Sequence, residues 1–186
     1  MRAAYDEVMR EGLRQERSVQ RILGDLLKAE VTEKQAGSVR YRLAAAKLPL
    51  AKELTDFDFS ASPINAAMVR NMHEGTLLAP PRNAVFVGGT GSGKTHLAIT
   101  IAMNCIRGGA RGRFFNVVDL VNQLEAEARD GRAGRLADQL CRHDLVVLDE
   151  LGYLPFPQSG GQLPFHLISR LYERTAIIVT TNLAFA

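Results

Sequence analysis

Residues 84–95, Ala-Val-Phe-Val-Gly-Gly-Thr-Gly-Ser-Gly-Lys-Thr, join a short apolar run to a glycine-rich turn that ends in Lys-Thr. Gly88, Gly93, Lys94 and Thr95 fill the fixed positions of G-x-x-x-x-G-K-[ST], with Gly89, Thr90, Gly91 and Ser92 between them. His96-Leu-Ala-Ile-Thr-Ile-Ala-Met then continues with helical spacing. The pattern constrains the fold tightly, because a strand must deliver the turn and a helix must leave it. Glycines let backbone N–H groups close around phosphate oxygens, and the helix N-terminus adds its positive dipole end. Lys94 is placed to reach β/γ-phosphates and the Thr95 hydroxyl to ligate Mg²⁺. The plain alternative is a glycine-rich turn with a chance Lys-Thr. The strand before it and the helix after it weigh against that.

A second feature matches. Leu145-Val-Val-Leu-Asp149-Glu150 is an apolar strand delivering two carboxylates, about fifty-five residues beyond the phosphate loop. Nucleotide hydrolysis needs one carboxylate in the Mg²⁺ coordination shell, the part given to Asp149. It also needs a group that orients or deprotonates the attacking water, the part given to Glu150. Asn116, closing an earlier strand, is placed to hold Glu150 in an inactive rotamer when the site is empty. Asn182 follows the last strand and is placed to touch the γ-phosphate or the water. A turn or capping asparagine is the simpler account of either residue.

Between these motifs, apolar strands alternate with helices. The spacing predicts strands at 84–88, 113–117, 145–148 and 176–181. Helices are expected at 94–107, near 119–130, around 134–142 and at 162–173. Near-continuous β-branched runs between helices indicate strands buried on both faces, hence an open parallel α/β sheet with helices on both sides. Ahead of it, Tyr5, Val8, Met9, Gly12 and Leu13, and then Val19, Ile22, Leu23, Leu26 and Leu27, follow helical periodicity. Thr32 with Gln35 reads as a capping box opening a third helix, which Pro49 stops. Ser62-Pro63 reads as the start of a further helix carrying Ile64, Ala67, Met68 and Met72. The expected organisation is an N-terminal helical module and linker over 1–54, too thin to bury much alone, and an ATPase core over 55–186.

Composition sets outer bounds. At 186 residues, 46% apolar and 23% charged, the chain fits one soluble domain with an appendage. It has no run of eighteen apolar residues, so no membrane span is expected. Its first residues lack a signal-like apolar stretch. Cys105 and Cys141 are isolated. Together these point to the cytoplasm. The net charge of +3 lies wholly in residues 1–54, with 11 Lys/Arg against 8 Asp/Glu, while residues 55–186 carry 12 of each. An acidic partner such as nucleic acid and a plain solvated helical face explain this excess equally well. Arg107, Arg111, Arg113, Arg129, Arg132 and Arg135 lie in or near loops, as phosphate contacts or as solvated arginines. His96 is expected to pack beside the loop and not to act as a base. The segment Phe156-Pro-Gln-Ser-Gly-Gly161 is expected to be a flexible loop.

Gly88–Thr95, Asp149-Glu150-Leu151-Gly152-Tyr153-Leu154-Pro155, Tyr172-Glu173-Arg174 and Thr180-Thr181-Asn182 together resemble the IstB-type transposition helper ATPases. These belong to the AAA+ superfamily and are related to DnaC-type helicase loaders. Lys47-Leu-Pro-Leu and Asp56-Phe-Asp-Phe are similar to that family's linker. The resemblance implies a P-loop AAA+ fold binding ATP and Mg²⁺. It implies self-association into ATP-dependent oligomers on DNA and recruitment or stimulation of the same element's transposase. In its terms Asp149 and Glu150 are the Walker B pair and Asn182 is sensor 1. The N-terminal module is implied to join neighbouring protomers and to engage the transposase.

The resemblance also implies a longer protein than the one that stops at Asn182-Leu-Ala-Phe-Ala186. Family members continue with an arginine finger, a last core strand and a small helical remainder. No residue here matches the finger, since Arg170 and Arg174 precede sensor 1 and read as surface or interface arginines. Without the last strand, the phosphate-loop strand is expected to be an open edge. A helicase loader and a truncated, non-catalytic nucleotide-binding module are the alternative readings.

Overall fold

The computed structural model describes residues 2–49, 53–152 and 162–183. The chain divides into two compact units, Met1–Tyr41 and Arg42–Ala186.

The first unit holds helix α1, Arg2–Arg14, and most of α2, Val19–Ala46. Between them the chain turns tightly. Glu16 takes a left-handed conformation (φ +49°), and Arg17 reaches back to Asp25 at 2.8 Å. Gly12 lets the helices approach, because a Cβ there would lie 2.7 Å from Ile22 Cγ1. The helix start expected at Thr32 does not occur. α2 runs through it, and the Thr32 hydroxyl donates to the Lys28 carbonyl one turn back, at 2.9 Å. With no proline from Val19 to Ala46, a threonine with that internal outlet continues the helix instead of capping a new one. α2 ends where Lys47 turns left-handed (φ +55°), two residues before Pro49.

The second unit begins inside α2, where Ala46 is buried. Two 3-10 turns, Leu54–Asp56 and Phe59–Ala61, lead to α3, Ala66–His73. α3 starts later than the Ser62-Pro63 signal predicts. Asn65 is its cap, accepting from Met68 N at 3.1 Å, while Ser62 Oγ only receives Ile64 N at 3.4 Å. There follow β1 (Ala84–Val87), α4 (Lys94–Arg107), β2 (Gly112–Asn116), α5 (Val117–Arg129), α6 (Arg135–Leu140), β3 (Leu145–Asp149), α7 (Gln162–Leu171) and β4 (Ala176–Thr181).

The four strands among the described residues are all parallel, in the order β1-β4-β3-β2. Alternation along β3 and β4 builds two cores. Leu145, Val147, Ala176 and Ile178 join Leu97, Ile101 and Ala102 of α4 and Val69 of α3 on one face. Val146, Leu148, Ile177 and Val179 join Leu120 and Leu124 of α5, Leu136 and Leu140 of α6 and Leu167 and Leu171 of α7 on the other. Both central strands are therefore buried along their whole length, apolar up to Asp149 and Thr180, and a parallel sheet is the arrangement that buries them twice. Among the described residues β1 has one hydrogen-bonded neighbour, and Val85 and Val87 are about half exposed. Cys105, buried in α4, has its thiol pushed up to about 11 by desolvation. No helix among the described residues is long and apolar enough to cross a membrane.

Candidate nucleotide site

Parallel strands end on one side of a sheet, so the loops after β1, β2, β3 and β4 meet at its carboxyl edge. The loop after β1 is shaped by its backbone. Gly88 N still bonds to Thr181 O at 3.2 Å, extending the β1–β4 ladder by one rung. The chain then turns through left-handed Gly91 (φ +77°) and Gly93 (φ +84°), and Gly93 caps α4. A Cβ on Gly93 would sit 2.5 Å from Phe57 Cε2, so the glycine is required by space as well as by conformation. The first N–H groups of α4 have no partner inside the helix, which makes this end an anion site. Lys94 folds over the loop, donating to the carbonyls of Gly88 and Gly89 at 2.7 Å each and reaching Ser92 Oγ at 3.3 Å.

The facing half is held by side chains. Asp149, 5% exposed, accepts from the Thr95 hydroxyl at 2.8 Å and from the Thr180 hydroxyl at 2.5 Å, both on Oδ1. Thr180 Oγ1 in turn accepts from Glu150 N at 2.9 Å, and Leu151 N bonds to Thr180 O at 2.9 Å. The turn after β3 is thereby clamped to β4, and Glu150 is forced into a left-handed backbone (φ +65°). Its carboxylate accepts from Asn116 Nδ2 at 2.8 Å, while Asn116 Oδ1 caps α5 by accepting from Val118 N at 3.0 Å. One asparagine thus fixes a helix start and a carboxylate together.

Thr90, Gly91, Gly93, Lys94, Thr95, His96, Glu150, Thr180, Thr181 and Asn182 line one pocket of about 340 Å³. Gly88, Gly89 and Ser92 form the loop around it. The Thr95 and Asp149 oxygens are a donor set suited to Mg²⁺, which uses one or two carboxylates, phosphate oxygens and retained waters. No cluster of three or more His, Cys, Asp or Glu side chains suited to a metal occurs among the described residues. An ion here would accordingly lean on the nucleotide. A second hollow of about 700 Å³, with Asn116, Asp119 and Lys47 in its lining, opens on the other side of Glu150.

Other residues singled out by the sequence are engaged in contacts of their own, His96 from within the pocket lining. The His96 ring nitrogen is 2.9 Å from the Glu53 carbonyl, and its ring stands edge-on to Phe57. Arg107 is paired with Glu53 at 2.9 Å and Arg111 with Asp144 at 3.0 Å. Arg113 donates to the Ala45 carbonyl at 2.6 Å and lies over Phe115. Arg132 is paired with Asp130 and Arg170 with Asp138. Tyr153-Leu154-Pro155 and the loop to Gly161 lie outside the described residues. Thr180 was not assigned a role from sequence. Its signal is one of two adjacent hydroxyls, Thr180 and Thr181, that close an otherwise aliphatic strand.

A phosphate-binding loop after the first strand, a carboxylate pair after the third and a parallel order with the second strand outermost define a P-loop nucleotide-binding protein of the AAA+ type. The whole chain, residues 1–186, matches the family described as IstB-like ATP binding protein, and it belongs to that family. It is 35% identical over 86% of its length to the IS5376 insertion-sequence ATP-binding protein of Geobacillus stearothermophilus, covering 64% of that relative. It is 31% identical over 97% of its length to the IS21 ATP-binding protein of Pseudomonas aeruginosa, covering 69%. The chain thus spans about two thirds of the length of these relatives. Among solved structures, the DnaC helicase loader superposes with a TM-score of 0.58 at 25% identity, over 69% of this chain and 77% of that one.

Proposed function

We propose that this protein is an ATP-hydrolysing helper of DNA transposition. It assembles on DNA in the cytoplasm as an ATP-dependent oligomer and recruits or stimulates the transposase of its own insertion element. The observation that carries the enzymatic part is the convergence of Thr95, Asp149 and Glu150. The first two share a 2.8 Å hydrogen bond, and the third is held 2.8 Å from Asn116 beside the same pocket. The names of the insertion-sequence relatives support the transposition part.

In this reading the N–H groups of Gly88–Thr95 receive the phosphates. Lys94 exchanges the Gly88 and Gly89 carbonyls for phosphate oxygens. Thr95 and Asp149 would hold Mg²⁺, which would supply charge neutralisation for the phosphates. Glu150 leaves Asn116 and takes a proton from the attacking water as its oxygen bonds to the γ-phosphorus. The bond to the ADP oxygen breaks, and Asn182 steadies the γ-phosphate. The N-terminal unit engages neighbouring protomers and the transposase.

The test is ATP turnover by purified protein with and without duplex DNA. Glu150→Gln is expected to keep nucleotide affinity while turnover falls about 10²–10⁴-fold. Nucleotide binding without turnover in the unsubstituted protein would replace this reading with a non-catalytic binding module. A helicase-loader role is favoured by the likeness to DnaC. Capture of a replicative helicase and of no transposase would establish it instead.

A further inference from the structure

We propose that the outward face of α6 and the turn that closes it, the stripe Arg135–Gln139–Arg142, grip the phosphate backbone of duplex DNA. The inference rests on the transposition-helper reading and names the surface that reading leaves open.

α6 is two-sided. Leu136, Ala137 and Leu140 are buried in the core shared with α5 and α7, while Arg135, Asp138, Gln139 and Arg142 are exposed. Arg142 lies just beyond α6, in the turn that closes it, its N–H bonding to Gln139 O at 3.2 Å. Arg135 and Gln139 are i, i+4 neighbours on one face of α6, and Arg142 follows in the closing turn. They line an open groove of about 890 Å³ with Arg132, Ala133 and Asp138.

Charge decides what fits it. Residues 129–142 carry four arginines against two aspartates. Both aspartates are already paired, Asp138 with Arg170 and Asp130 with Arg132, each at 2.5 Å. Arg135 and Arg142 have no ion-pair partner among the described residues. By contrast, Arg107, Arg111 and Arg113 are committed to Glu53, Asp144 and a backbone carbonyl. The Arg135 and Arg142 guanidiniums line the same groove, whose one carboxylate, Asp138, is held by Arg170. Gln139 supplies a neutral donor between them, a usual partner of phosphate oxygens. An acidic protein is the poorer fit, because protein interfaces bury an apolar centre and this groove has only Ala133.

The groove also stands apart from the nucleotide. The Thr175 hydroxyl, just before β4, donates to the His143 carbonyl at 3.0 Å, so α6 ends at the edge where strands begin, opposite the phosphate loop.

The test uses the full chain, a fluorescent random-sequence duplex and a non-hydrolysable ATP analogue, with affinity followed across salt. Combining Arg135→Gln with Arg142→Gln should weaken duplex binding roughly 10- to 60-fold near 0.1 M salt. It should lower the salt slope by about 1.8 and leave analogue affinity unchanged. Arg82→Gln, an exposed arginine beside β1, should change binding less than about twofold by the same counterion reasoning. Should the double variant fail to fold, Gln139→Glu sets a negative charge within the stripe and should weaken binding in the same direction. Unchanged affinity and slope, or an equal loss in Arg82→Gln, overturns the inference while the transposition reading stands. Loss of polyglutamate binding with duplex binding intact overturns it in favour of an acidic protein. An unsubstituted protein that binds the analogue but no duplex overturns both.

Discussion

The two halves of the pocket are built by opposite means. The phosphate loop is made of backbone: left-handed Gly91 and Gly93, a bare helix end, and a lysine resting on main-chain carbonyls. The acidic half is made of side chains, with Thr95, Thr180 and Asn116 each fixing a carboxylate or its turn. Lys94 aside, the first half should tolerate losing side chains and reject gaining them, and the second the reverse.

The strongest way to break this contrast is Gly93→Ala. A left-handed alanine costs about 1–2 kcal/mol, and the new methyl must displace the Phe57 ring. If the loop shifts to relieve that, nucleotide affinity should fall about tenfold per 1.4 kcal/mol, measurable by titration of a fluorescent ATP analogue. Thr180→Val comes next. It removes a partner of buried Asp149 and of Glu150 N, and thermal or urea unfolding should show a loss of about 1–3 kcal/mol. Thr180→Ser should recover most of it, because the hydroxyl is what matters. Asn116→Ala should cost about 1 kcal/mol through the lost α5 cap, and it should raise ATP turnover in the absence of DNA by freeing Glu150. Least of all, Ser92→Ala should stay within about 0.5 kcal/mol, since its hydroxyl makes only a 3.3 Å contact to Lys94. A large effect at Ser92, or none at Thr180, would dissolve the contrast.

The same division explains what the sequence made legible. Backbone-built features have local signatures, so the phosphate loop and α4 (Lys94–Arg107) fall where glycine spacing and periodicity put them. Asn116 was readable from its place at the end of a strand. Thr180 was not, because its part depends on β4 lying beside β3, a pairing between segments about thirty residues apart. Thr32 misled for a related reason. A threonine and a glutamine three residues on look the same in a capping box and in the middle of a helix, and only the Lys28 carbonyl decides between them. At Ser62 the signal was real but weaker than that of Asn65, whose side chain reaches the N–H three residues ahead.

Glu150 carries one more implication. A glutamate at φ +65° occupies ground where glycine rests without strain, and holding it there costs about 1–2 kcal/mol. Replacement by glycine would relieve that strain and remove the carboxylate in one mutational step. Silencing this site would therefore relieve backbone strain, and what the fold sets against it is the Asn116 hydrogen bond and the greater freedom of an unfolded glycine. Wherever the glutamate persists over generations, selection for its chemistry is part of what keeps it.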